Sequence, residues 1–135
     1  MKIGFTGTQV GMTNKQRAAV YELLTFLQVD EFHHGDCIGA DVEAHRIVFR
    51  YFGAEVLHVH PPDKDAKRAF CRTGTLYEPK SYLSRNRDIV NATRVLIAAP
   101  QGKEVLYSGT WSTVRYARKA KREIMYVWPD GGIRT

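Results

Sequence analysis

Short apolar runs alternate with stretches of helical period along the chain, which predicts an α/β fold. The expected architecture is a three-layer sandwich: a mostly parallel sheet of five or more strands with helices on both faces. Two further observations agree. Val95-Leu96-Ile97-Ala98-Ala99 is apolar enough for a central strand of a parallel sheet. The loops rich in glycine, hydroxyls and acids fall where a strand hands over to a helix, the edge at which such sheets bind ligands. A length of 135 residues suits a single domain over 1–135 with one core.

Lys2 to Thr6 reads as the first strand, followed by a glycine-containing turn, Thr6 to Met12. Thr13 is placed to cap a helix from Asn14, in which Val20, Leu23, Leu24 and Leu27 share one face. Glu31 to His34 forms a second strand, and a second helix carries the stripe Ala40, Ala44, Ile47, Val48 and Tyr51. Glu55 to His60 alternates as a third strand and stops at Pro61-Pro62. The basic stretch Asp63–Lys80 is long for a connection. It reads either as a binding segment or as a solvated loop with a short helix around Asp65–Cys71. Ser81 to Ala92 is a third helix with Leu83, Ile89 and Val90 toward the core. Arg94–Ala99 and Glu123–Trp128 are strands flanking a last helix, Val114 to Ala120.

Hydrophobic residues at 44% and charged residues at 25% describe an ordinary globule, and the net charge of +6 favours anionic partners. Cys37 and Cys71 show no metal-ligand spacing, nor do His33, His34 and His45, so neither a metal nor a cofactor is expected. Reduced thiols and the absence of a leader or a run near the roughly 20 residues of a membrane span point to a cytoplasmic protein without membrane partners.

Three loops carry the candidate chemistry. Gly7-Thr8-Gln9 is a strand–glycine–helix turn without the GK[ST] of a Walker loop, so it reads equally as a phosphate cradle or a plain turn. Gly35 to Asp41 holds two glycines and two acids. Asp36 is placed to accept hydrogen bonds from a ribose or base, and Asp41 to begin the helix. Ser108-Gly109-Thr110-Trp111-Ser112-Thr113, just ahead of the last helix, offers free backbone N–H groups and hydroxyls to an anion. Arg85 and Arg87 lie on different faces of the third helix; either suits phosphate, and either suits a solvated surface.

Thr6-Gly7-Thr8, His34 to Asp41, Arg85-Asn86-Arg87-Asp88-Ile89 and Ser108 to Thr113, in that order, resemble the SLOG superfamily over roughly Ile3 to Trp128. This is the Rossmann-like group of DNA-processing protein A and the Lonely Guy phosphoribohydrolases. Gly35 to Asp41 with His45 is similar to the former's Gly-x-x-x-Gly-(Ala/Ile)-Asp…Ala-His segment, and Ser108 to Ala117 to its Ser-Gly-Ser-x-x-Thr-Ala-x-Ala turn. The resemblance implies a nucleotide or nucleotide-derived phosphate ligand at the carboxyl edge. It would be held by Gly7, Thr8, Gln9, Gly35, Asp36, Gly39, Arg85, Asn86, Ser108, Gly109, Thr110 and Ser112. An N-glycosidase acting on nucleoside monophosphates is the alternative, with Arg85 and Asp36 as catalytic candidates. In the Lonely Guy motif Gly-Gly-x-Gly-Thr-x-x-Glu, aligning Thr113 with the threonine puts Tyr116 at the glutamate, which counts against that chemistry. A third reading is single-stranded nucleic-acid binding through Arg115, Arg118, Lys119, Lys121 and Arg122. Relatives in this group also pair as homodimers.

Overall fold

The computed structural model describes residues 1–135. Its seven strands form one sheet in the order β4-β3-β2-β1-β5-β6-β7. These are β1 Lys2–Gly7, β2 Glu31–His34, β3 Leu57–Val59, β4 Thr75–Leu76, β5 Val95–Ala99, β6 Glu123–Val127 and β7 Ile133–Arg134. All neighbours pair in parallel except β7, which runs antiparallel to β6. The helices are α1 Asn14–Leu27, α2 Ala40–Tyr51, α3 Tyr82–Ala92 and α4 Gly109–Lys119. This is the Rossmann-like α/β arrangement expected from the alternation.

Strand β5 is buried along its whole length, as its apolar run requires. Its alternate residues feed two cores. Ile97 and Ala99 join Phe5, Phe32, Leu57 and the inner faces of α1 and α2, whereas Leu96 and Ala98 join Val90, Trp111, Val114 and Ala117 beneath α3 and α4. Helix α1 begins with a capping box: Thr13 accepts the Gln16 N–H at 3.0 Å, and the Gln16 side chain accepts the Thr13 N–H at 2.9 Å. The amide of Gln16 also donates to the carbonyls of Pro100 and Val127, tying the carboxyl ends of β5 and β6 together.

Several expectations need correction. Glu55 and Val56 lie in a 3-10 turn, Ala54–Val56, leaving only Leu57–Val59 in β3. Tyr51 is exposed because α2 ends there, beyond the reach of the sheet. Leu83 is 54% exposed, since the buried face of α3 is set by Arg85, Asn86, Ile89 and Val90. The basic stretch folds into a single 3-10 turn at Asp65–Lys67 and the edge strand β4. It is pinned to the loop after β2 by Ile38 N–H to Lys67 O and Ala69 N–H to Asp36 O.

Candidate functional site

Strands run outward in both directions from the β1–β5 pair, so the loops after these two strands diverge and leave a crevice between them. A cleft of about 1040 Å³ opens there. One wall is the loop after β1, Gly7 to Val10. Opposite lie the segment Gln101–Tyr107 and the start of α4. Arg85 and Asn86 of α3, with Gly35, Cys37 and Asp41, line the floor.

The start of α4 differs from its expected form. The helix begins at Gly109 with Ser108 as its cap, so Thr110 to Thr113 belong to its first turn and Trp111 is buried in the core. Ser108 Oγ accepts the Trp111 N–H at 3.4 Å, while the N–H groups of Gly109 and Thr110 have no acceptor within the helix. A side chain at Gly109 would meet nothing within 4 Å, so the backbone there is open to a bound molecule. The macrodipole adds positive potential at the same point.

The loop after β2 divides its two acids. Asp36 has φ +57°, a left-handed turn that aspartate tolerates, and its carboxylate points away from the cleft into the fold. It accepts the Cys71 N–H at 2.9 Å and pairs with Arg68 at 3.1 Å, fully buried. Asp36 is therefore not a cleft residue. Gly39 is not one either: its φ of +87° and lack of a side chain let the second loop lie directly under the Gln9 carbonyl. Asp41 does line the cleft, from the first turn of α2. Burial raises its carboxyl to about 6, against the opposing pull of Arg85.

The Arg85 side chain is buried in the floor and largely occupied. It donates to the carbonyls of Gly35 and His60 and to Asn86 Oδ1, joining the ends of β2 and β3, and only Nη2 has no oxygen partner. Arg87, on the outer face, stacks on the Tyr116 ring. Tyr116 itself donates to Asn91 at 3.1 Å and stays out of the cleft. Thus Gly7, Thr8, Gln9, Gly35, Arg85, Asn86, Ser108, Gly109, Thr110 and Ser112 do converge on one cavity.

Sequence reading missed Cys37, Lys67 and Lys103 as lining residues, with an apolar rim of Val10, Leu83, Val105 and Tyr107. Exposed apolar residues in loops, as Val10, Val105 and Tyr107 are, carry no periodic signal. The Cys37 thiol is raised to about 11 by burial, which keeps it protonated and unreactive at neutral pH. The basic tail of α4 is mostly engaged: Arg115 and Arg118 pair with Glu104, and Arg122 donates to the carbonyls of Val90, Thr93 and Ala120.

Neither the known family profiles nor the curated protein sequences contain a match to this chain. Among solved structures, the X-ray structure of TM1055, a structural-genomics target, superposes with a TM-score of 0.64. The match covers 92% of this chain and 72% of that one at 17% identity, a likeness of fold alone.

Proposed function

We propose that the cleft binds a nucleotide or a nucleotide-derived phosphate, in keeping with the resemblance to the SLOG superfamily. The observation that carries this reading is the open backbone at Gly109, with the unpaired N–H of Thr110 beside it at the start of α4, facing the Gly7–Gln9 turn across the crevice. Free N–H groups and the helix dipole favour an anion there. Lys67 and Lys103 on the lining add charge, and the apolar rim with Tyr107 suits a planar base. Registering the motif's Gly-Thr on Gly109-Thr110 places Thr113, a lining residue, where the Lonely Guy enzymes carry glutamate. That position holds no carboxylate in either register.

Calorimetric titration with nucleoside mono-, di- and cyclic phosphates at low salt tests the proposal. Binding in the micromolar range, weakened at least about tenfold by Gly109→Ala, is the expected result. This substitution adds a methyl to open space at a helical position and leaves the fold intact. No binding below the millimolar range would end the proposal.

N-glycosidic cleavage is a second reading, favoured by one observation: a buried carboxyl near pKa 6, Asp41, on the cleft floor beside Arg85. Release of free base from a nucleoside monophosphate, lost in Asp41→Asn, would establish it. Binding without turnover would leave a binding module. Nucleic-acid binding gains nothing from α4, whose arginines are held by Glu104 and by backbone carbonyls.

A further inference from the structure

Five histidines gather around β2 and β3, on opposite faces of the sheet, and the two groups differ in what their nitrogens can do. On the α2 face, His34, His45 and Cys71 bring ligand atoms within 4.8 Å of one another. The Asp36 N–H donates to His34 Nδ1 at 3.0 Å, so the proton of neutral His34 sits on Nε2 and is directed at His45 Nδ1, 2.8 Å away. His45 in turn directs its Nε2 proton to Thr73 Oγ1 at 2.6 Å. This chain is closed, and a cation between the rings would have to displace a proton that the backbone fixes in place.

The other face is different. α3 contacts β1 and β2, so the sheet beyond them is covered by side chains: His33, His58, His60 and Tyr77 stack against one another there. His33 and His58 are register partners on parallel strands, and Glu31 lies two residues before His33 on the same side of β2. Glu31 Oε1 is 2.9 Å from His33 Nε2 and 3.8 Å from His58 Nε2. A tetrahedral ion with bonds of about 2.0–2.1 Å spaces its ligands about 3.3 Å apart, between these two values.

The geometry points to a surface site for a borderline divalent transition-metal ion, of the Zn²⁺, Co²⁺ or Ni²⁺ class, held by Glu31, His33 and His58. Two imidazoles and one carboxylate match that class better than Mg²⁺ or Ca²⁺. Each imidazole has its far nitrogen backed by a second group. His33 Nδ1 meets His60 Nε2 at 2.8 Å, and His58 Nδ1 meets Tyr77 Oη at 2.8 Å, the support that ligating histidines use. Unlike His34, His33 has a partner that accepts either tautomer. When Nε2 turns to the metal, Nδ1–H donates to His60. Glu31 is 30% and His58 16% exposed, leaving an open position for water. Three local contacts yield on binding: the Glu31–His33 hydrogen bond at 2.9 Å, the Lys2–Glu31 pair at 3.6 Å, and the stack of His58 on His33, from which the more exposed ring turns.

The test is calorimetric titration of the tag-free full chain with Zn²⁺ and Ni²⁺ near neutral pH, with thermal unfolding in parallel. One ion per chain binds at micromolar strength and raises the melting temperature, because it links β2 to β3. Glu31→Gln and His58→Ala, both at the surface, each weaken binding more than about tenfold, and Tyr77→Phe weakens it by roughly as much through loss of the outer support. Cys71→Ser leaves it unchanged. Absence of stoichiometric binding, or affinity that survives Glu31→Gln and His58→Ala, overturns the assignment. Loss of binding on Cys71→Ser would transfer the ion to the other face and overturn it equally.

Discussion

Asp36, in the loop after β2, and Asp41, five positions on in the first turn of α2, do unlike things. The left-handed turn at Asp36 swings its carboxylate inward onto Arg68 and the Cys71 N–H, where it anchors the basic segment that follows β3. Asp36→Ala leaves two donors without their acceptor and is expected to cost about 3 kcal/mol of stability. Urea unfolding measures this, and a nucleotide titration on the same variant should show an unchanged affinity in the cleft. The sequence could not separate the two acids. Both follow a strand and precede a helix, and which one faces the ligand edge depends on a single φ angle. Arg85 was legible as a site position but not in its use: carbonyls it bonds, of Gly35 and His60, are distant in sequence and carry no side-chain signal.

Among the elements, α1 shows how a local signal acquires a distant role. Its cap was readable from Thr13 and the apolar face that follows. Not readable was that Thr13 Oγ1 also donates to the Pro129 carbonyl at 2.6 Å, binding the start of α1 to the chain leaving β6. Thr13→Ala removes both bonds and should lower stability by about 1–2 kcal/mol, more than a cap alone. Thr13→Ser should restore most of it in the same denaturation assay. The long helices and the apolar strand β5 announced themselves by period and run length. The two-residue strands β4 and β7 did not, because a strand that short has no alternation to read. Glu55 and Val56 continued an alternating pattern in sequence, yet the turn after Gly53, at φ +101°, carries them out of the sheet.

For the molecule as a whole, acid should be the weak point. His33, His34, His45, His58 and His60 are all held below the ordinary imidazole value by burial, His60 to about 3 and His34 further than most. A histidine whose folded pKa is depressed takes up protons more readily when unfolded. Its contribution is complete above the unfolded value of about 6.5 and is lost as the pH falls from there toward 3. Asp41, raised to about 6, acts in the opposite direction as a single group. The urea midpoint, measured with a chelator present, is therefore expected to drop between about pH 7 and about pH 5, well before ordinary carboxylates titrate. A flat midpoint across that interval would show that the imidazoles are not neutral in the fold. The architecture at this scale was the most legible part, since alternation and crossover handedness leave few topologies.

The sheet ends on both sides in strands of two residues, β4 and β7. A growing fibril needs a long row of unpaired amides and carbonyls as its template, and neither border provides one. The long apolar strands that would make good fibril segments, β1 and β5, lie side by side at the centre of the sheet. Aggregation by strand addition must therefore wait for unfolding, so at a fixed protein concentration its rate should rise with the fraction of opened chains.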